Sequence, residues 1–190
     1  MLITNESDLL QIVKEDDRMM RVLRTVKSLN LSDWWVCAGF VRSKIWDIQH
    51  GYSRNTTLPD VDVIYFDKNK DKTKVILIEK ELHTLEPNIP WSVKNQARMH
   101  LKSGLPPYLS SVDAISKFPE TVTSLGLKLD DDGQVILTAP HGLKDAVNME
   151  VQPTPLYREG KGLEVYKERV EKKKWKSKWP MVEVVYPDSL

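Results

Sequence analysis

Cysteine is almost absent from this 190-residue chain. The single Cys37 excludes an intramolecular disulfide and fits a reducing, cytoplasmic compartment. Long apolar runs are also missing: none approaches the roughly 18 residues that a bilayer span requires. The N-terminus opens Met1-Leu2-Ile3 and then turns acidic, without the basic-then-apolar order of a signal peptide, so no membrane partner is expected. Charge of one sign is lacking as well. Lys and Arg total 28 against 27 Asp and Glu, and the formal +1 gives no whole-chain case for nucleic-acid or membrane binding. The four histidines, at 50, 83, 100 and 141, show no paired ligand spacing, and Cys37 lies in an apolar run that reads as core, which argues against a His/Cys metal centre and against a cysteine nucleophile. What is present is 41% hydrophobic and 29% charged residues, enough for one domain or one domain with a short appendage. One local bias stands out. Lys161 to Trp179 holds eight Lys/Arg against three Glu, so this stretch carries +5 and the remainder −4.

The first thirty residues read as two helices. Asn5 or Ser7 is expected to cap the first, which buries Leu9, Leu10, Ile12 and Val13. Asp16 or Asp17 caps the second, with Met19, Met20, Leu23, Val26 and Leu29 at three- and four-residue steps. Trp34 to Ala38 reads as a buried strand ending at Gly39, Val41 to His50 as a helix, and Gly51 to Pro59 as a loop. Asp60 opens a second strand, and Lys74 to His83 reads as a helix on Val75, Ile78 and Leu82. Trp91 to Lys102 passes from strand into helix and ends at Pro106-Pro107. Ser110 or Ser111 caps a short helix reaching Phe118. Val122 to Leu129 and Gln134 to Thr138 form a hairpin about Asp130-Asp131-Asp132-Gly133, and Leu143 to Asn148 a short helix. A proline-rich linker begins at Pro153, so a domain over residues 1–155 and a basic extension over 156–190 are expected.

Three of these elements carry chemistry. A strand ending at Ala38-Gly39 leads into a helix, a small-residue turn where phosphates can approach backbone amides at a helix N-terminus. The next strand begins Asp60-Val61-Asp62, and carboxylates at i and i+2 of a strand project from one face. Such a pair can share a hard cation, and Mg²⁺ favours one or two carboxylates plus phosphate oxygens and water. A calcium-binding EF-hand loop fails, because its fifth, sixth and twelfth positions would be Ile64, Tyr65 and Asp71. A haloacid-dehalogenase-type pair follows its apolar strand, whereas this pair precedes it. A metal-dependent glycosyltransferase uses a similar pair but in a longer chain. A solvated strand edge with no ligand stays open on the pair alone.

The run Trp35-Val36-Cys37-Ala38-Gly39-Phe40-Val41-Arg42-Ser43 followed by Asp60-Val61-Asp62-Val63 resembles the head domain of CCA-adding enzymes, in the DNA polymerase β-like nucleotidyltransferase superfamily. That pattern is Gly-Gly-x-Val-Arg-Asp, then Asp-x-Asp at the start of the next strand. With the run Trp91 to His100, the chain is also similar to a bacterial family of nucleotidyltransferase-like proteins of undefined substrate. That likeness runs from about Trp34 to Pro155 and extends more loosely through the tail. The resemblance implies an α/β (α+β) head, a small, strongly twisted mixed sheet flanked by helices. It implies that Asp60 and Asp62 bind metal and act in catalysis, with Mg²⁺ as cofactor and Mn²⁺ as an alternative. Ala38 and Gly39 would form the phosphate-side turn and Arg42 a phosphate or structural arginine, with Ser43 beside it. Lys94, Asn95, Arg98 and His100 would line the nucleotide pocket, Lys94 and Arg98 sharing one face if the segment is helical; the competing reading is a surface cationic pair with Asn95 capping the helix. The implied reaction takes a nucleoside triphosphate, two Mg²⁺ ions aligning a hydroxyl of an RNA or small-molecule acceptor on the α-phosphate while pyrophosphate leaves.

The chain departs from that pattern in three places. Ala38 replaces the first Gly, a mild change if the backbone dihedrals there are ordinary. Ser43 replaces an Asp. The superfamily's third carboxylate, on a later strand, has no counterpart: near Trp91 the chain offers the neutral Ser92, Asn95 and Gln96. Asp67 would face the opposite side ~20 Å away, and Glu86, Asp113 and Asp145 have no positional support. A degenerate nucleotide-binding module without turnover is therefore the alternative reading. The tail Lys172-Lys173-Lys174-Trp175-Lys176-Ser177-Lys178-Trp179 interleaves cations with aromatics, which suits RNA binding. Its competing reading is a helix end packing two tryptophans on the head. With no room for a long helical body, full CCA synthesis is not expected.

Overall fold

Asn5 and Asp16 each leave the backbone extended and start a helix. Their side chains accept from the Asp8 and Met19 amides at 3.0 and 2.9 Å, which satisfies amides that a helix N-terminus leaves without partners. The computed structural model of the protein describes residues 2–69 and 71–187; Met1 and the last three residues of the 156–190 extension lie outside these. Helix α1 (Glu6–Glu15) buries Leu9 and Val13, and α2 (Asp17–Ser28) buries Met19, Met20, Leu23 and Val26 as their spacing predicts, together with Val22.

Behind these helices stands a five-stranded mixed sheet. Its strands are β1 (Trp35–Cys37), β2 (Val61–Tyr65), β3 (Trp91–Asn95), β4 (Gly126–Leu129) and β5 (Val135–Thr138), in the order β3-β2-β1-β4-β5. Strand β1 is central and antiparallel to both neighbours, with Cys37 opposite Asp62 and Gly126, while β2 and β3 run parallel. The parallel pair needs a crossover, supplied by α4 (Lys72–Leu85), capped by Asp71. Helix α3 (Gly39–Gln49) connects β1 to β2 through the loop at 50–60. The mixed, helix-flanked sheet expected from the sequence is thus the observed fold.

The sheet has two unlike faces because strand side chains alternate. Val36, Val61, Val63, Tyr65, Trp91 and Val93 point to the helices and belong to the main core. Trp35, Cys37 and Ile64 point the other way, into a small cluster with Ile115 of α6 (Ser111–Ile115). This second face floors the cleft described below.

Some boundaries differ from the sequence reading. The strand expected from Val122 begins only at Gly126. Thr121–Thr123 is a 3₁₀ turn instead, held by the Thr123 and Ser124 hydroxyls donating back to the Glu120 carbonyl. At Gly126 a side chain would collide: an added Cβ would lie 3.0 Å from Thr138 and 3.2 Å from Ile115. The segment after Trp91 is strand to Asn95, then a 3₁₀ turn (Gln96–Arg98), then α5 (His100–Ser103). Lys94 and Arg98 therefore do not share a helix face. Helix α7 (Lys144–Val147) follows the hairpin.

Nor is Pro153 to Tyr157 a loose linker. The Thr154 amide donates to Pro119 O at 3.0 Å, and its hydroxyl to Phe118 O at 2.6 Å. Helix α8 (Gly160–Lys173) then buries Leu163, Tyr166 and Val170, and ends at Lys174 with φ +46°. Beyond it Trp175, Trp179 and Val182 join the main core. Strand β6 (Glu150–Val151) pairs in parallel with β7 (Glu183–Val184), and the Tyr166 hydroxyl contacts the Val151 and Val185 carbonyls, each at 2.8 Å. Among the described residues no helix is long and apolar enough to cross a membrane.

Candidate active site

Strand β1 stops at Cys37 because the chain must turn sharply into α3, and Ala38 makes that turn at φ +56°, ψ −114°. This conformation suits glycine and strains alanine, so replacing the expected Gly is not the mild change that ordinary dihedrals would have made it. The Ala38 amide donates to Leu125 O at 2.9 Å, and its carbonyl accepts from the Val41 and Arg42 amides, which locks the turn to β4 and α3. Gly39, by contrast, has no positive φ, and a Cβ there would meet only Arg42 Nη2 at 3.5 Å and Leu58 at 3.9 Å.

The turn opens on a cleft of about 440 Å³, floored by Cys37 and Ile64 and walled by α3, the 57–60 loop, β3, residues 117–119 and the C-terminal segment. Ala38, Gly39, Arg42, Ser43, Asp60, Asp62 and Lys94 all line it. The sequence-predicted turn, acid pair and first cations thus converge on one cavity. Asp60 is exposed at its mouth, whereas Asp62, opposite Cys37 on β2, is half-buried. Lys94 reaches across from β3 and places Nζ 2.6 Å from Asp62 Oδ1. Cys37 is buried beside these charges; burial first, then Asp62, pushes its thiol well up, leaving a neutral side chain.

Arg42 is the least expected member. Its guanidinium carbon lies 4.7 Å from the Trp175 ring centroid, 5.1 Å from Trp46 and 5.9 Å from Trp179. The side chain is buried and Nε has no hydrogen-bond partner, and Ser43 Oγ beside it is likewise unpartnered. Burial pushes the Arg42 pKa down to about 10 against the opposing pull of Glu120, Asp60 and Asp62. The charge is met by the three tryptophan faces, and no carboxylate of the described residues contacts it.

Three predicted residues lie elsewhere. Asn95 is buried outside the cleft: its Oδ1 accepts from the Asp67 and Ala97 amides, and its Nδ2 donates to Asp67 O at 2.8 Å. It caps the 3₁₀ turn, as β3 alternation requires of the residue after Lys94. Arg98 is in that turn and His100 opens α5, and neither lines the cleft. The candidate third acids are spent on other partners: Glu86 on Arg21, Asp113 on Lys117, Asp145 on Thr121, and Asp67 on Lys74. Among the described residues no three His, Cys, Asp or Glu converge to hold a metal ion.

Sequence reasoning missed the opposite wall. Arg169, Lys173 and Lys178 line it, and Lys117 adds a cation from the 117–119 wall, so that with Arg42 and Lys94 six cations face two carboxylates. Arg169 is aimed by Glu120, a wholly buried carboxylate that accepts from Nε at 2.8 Å and Nη2 at 3.2 Å, and from Thr123 Oγ1 at 2.8 Å. The +5 of residues 161–179 signalled cations in this region, but nothing in the sequence paired Glu120 with a residue 49 positions away. Trp175 and Trp179 are 4% and 2% exposed, so they pack on the head rather than offer faces to a base.

A family model described as "Nucleotidyltransferase" matches residues 24–184. A solved NMR structure described as revealing a CCA-adding enzyme head domain is 36% identical, with a TM-score of 0.88 over 96% of this chain and 97% of that one. A CCA-adding enzyme in complex with CTP is 13% identical, with a TM-score of 0.58 over 96% of this chain. The Thermotoga maritima CCA-adding enzyme complexed with tRNA is 12% identical, with a TM-score of 0.57 over 97% of this chain. These two show the fold alone, and the chain spans 43% of each of them. Among curated proteins no sequence match is found.

Proposed function

The chain belongs to the nucleotidyltransferase family, and from that premise we propose that it moves a nucleoside monophosphate from a nucleoside triphosphate to a hydroxyl acceptor, with a divalent cation held by Asp60 and Asp62. The observation that carries this reading is the convergence of the acid pair, the Ala38-Gly39 turn and the unpartnered Arg42 on one cation-rich cleft. A carboxylate on β2 and another immediately before it, both lining the cleft, fit a single hard cation completed by phosphate oxygens and water. Mg²⁺ is the proposed ion and Mn²⁺ its alternative; when bound it supplies Lewis-acid neutralisation of phosphate charge.

The chain's own residues position the substrate. The α3 N-terminus and Arg42 face the triphosphate, Ser43 Oγ offers it a hydrogen bond, and Arg169, Lys173 and Lys178 balance its charge. In the reaction the acceptor oxygen forms a bond to the α-phosphorus, the bond to pyrophosphate breaks, and the hydroxyl proton leaves to water at the open mouth beside Asp60. Catalysis of this kind is positioning and charge stabilisation.

Protein incubated with each labelled triphosphate, Mg²⁺ and pools of small molecules, RNAs and proteins should release pyrophosphate. Asp60→Ala and Asp62→Ala should each reduce the rate by about 10²-fold or more. No pyrophosphate from any combination would refute turnover. A second reading, nucleotide binding without turnover, is favoured by one observation: Lys94 already occupies an oxygen of Asp62. It expects cation-dependent triphosphate binding, lost in both Asp variants, with no product.

A further inference from the structure

We propose that Lys94 takes the place of a second divalent cation, so that this site holds one ion where a paired-metal transferase holds two. The inference rests on the nucleotidyl-transfer reading above and concerns how many cations that site accepts.

A two-ion site places its cations about 3.5–4 Å apart and needs carboxylate oxygens to bridge and flank them. On the cleft face of this sheet, β2 offers Asp62, with Asp60 immediately before the strand, and the neighbouring β3 offers Ser92 and Lys94 in register with Asp62 and Ile64. Ser92 is neutral. Lys94 is cationic, and its ammonium lies 2.6 Å from Asp62 Oδ1. The strand beside the acid pair therefore projects a positive charge where a second ion would need a negative one. Counting charge gives the same answer. Asp60, Asp62 and Lys94 sum to −1, which one dication overcompensates and the triphosphate then balances. Two dications would add four positive charges to a cleft already lined by Arg42, Lys117, Arg169, Lys173 and Lys178. Nor does another acid relieve this, since no third His, Cys, Asp or Glu joins the pair among the described residues.

The ammonium also does work that a metal would otherwise do. Tethered to β3 and held on Asp62, it keeps that carboxylate in one orientation and presents a fixed positive charge to phosphate oxygens. Lys94 is in these terms a positioning residue whose charge persists without an ion.

Stoichiometry tests this directly. Mn²⁺ binding is followed by the loss of the free-ion paramagnetic resonance signal, with the protein saturated by a non-hydrolysable triphosphate. The expected result is one Mn²⁺ per wild-type chain and two per chain for Lys94→Asp, with Ser92→Asp as a second route to a third carboxylate. Lys94→Gln should still bind one, but at least about tenfold tighter, because a like charge beside the cation has gone. Thermal melting of each variant establishes that it is folded, and Lys94 is exposed enough to be exchanged on the surface of an intact sheet. Two Mn²⁺ per wild-type chain would overturn this proposal and leave the transfer reading standing. One Mn²⁺ in both aspartate variants would overturn it as well. No Mn²⁺ and no triphosphate binding by the wild type would remove both readings together.

Discussion

Ala38→Gly should stabilise this protein, although it removes a partly buried methyl group. Ala38 is held at φ +56°, ψ −114°, by hydrogen bonds to Leu125, Val41 and Arg42. A non-glycine residue in such a region costs about 1–3 kcal/mol. Against that relief stand the extra unfolded-state freedom of glycine, about 0.5–1 kcal/mol, and the buried methyl, at most about 0.8 kcal/mol. Central values, with the methyl counted in full, leave a gain of about 0.5 kcal/mol, which for a chain of this size raises Tm by about 1–2 °C. Urea titration monitored by circular dichroism gives the free energy, provided that m is unchanged. The neighbouring position is the control. Gly39 has no positive φ and room for a Cβ, so Gly39→Ala should stabilise by about 0.5–1 kcal/mol through the unfolded state alone. Ala38→Val, with a β-branched side chain at positive φ, should lose about 2 kcal/mol or more. A loss of 1 kcal/mol or more in Ala38→Gly, or a penalty at Gly39 exceeding that of Ala38→Val, would show that the strain does not lie where the dihedrals place it.

Three further predictions concern charge. Arg169→Ala leaves Glu120 wholly buried without its cation and should cost about 3–5 kcal/mol in a denaturant titration; Glu120→Gln leaves a partly exposed arginine that water can solvate and should cost about 1–2 kcal/mol, and the reverse order would contradict the pairing. Pyrophosphate at a hundredfold excess over its Kd should raise wild-type stability by about 2.7 kcal/mol, whereas Arg42→Met should stay within about 1 kcal/mol of the wild type unliganded and lose most of the response; an unchanged pyrophosphate shift by calorimetry would remove Arg42 from the anion site. Asp16 is raised by burial but pulled lower still by Lys44, at 2.7 Å, and the Met19 amide, so its folded pKa falls below the ordinary 3.8. That stabilisation is present above the unfolded pKa and is lost as pH falls through the folded one. Asp16→Asn should therefore be about 1–2 kcal/mol less stable at pH 7, with the gap closing below about pH 4, and a gap that persists at pH 2 would mean the ion pair contributes nothing.

Local signals carried much of this fold. Asn5 and Asp16 are caps whose chemistry acts within three residues, and the Met19 to Val26 stripe is one helical face, so both were readable from spacing. The unit from Trp35 to Asp62 was readable too, because small residues, periodicity and an alternating acid pair are all short-range. The failures were non-local. Lys94 looked like a helical partner of Arg98, and only the parallel register with β2 shows that it belongs to the Asp62 face. Asn95 carries the chemistry to read a base, yet strand alternation turns it away from the cleft into three backbone bonds. The Ala38 dihedrals are set by contacts with Leu125, far along the chain, and alanine itself gives no sign of them. The packing of the tail tryptophans on the head was one of the two readings of the tail, but their partner was not legible, since Trp179 donates to Asp47 across 132 residues.

That last arrangement has an optical consequence. Trp46, Trp175 and Trp179, half of the six tryptophans in the chain, pack edge to face with centroids 5.2 and 5.7 Å apart around Arg42. Two of them belong to the C-terminal segment and one to the helix that starts at the Ala38 turn. Their emission should therefore change when the C-terminal segment leaves α3 and, on the proposal that Arg42 takes an anion, when one enters the cleft. The cluster is a built-in fluorophore for the titration that tests this, and no label is needed.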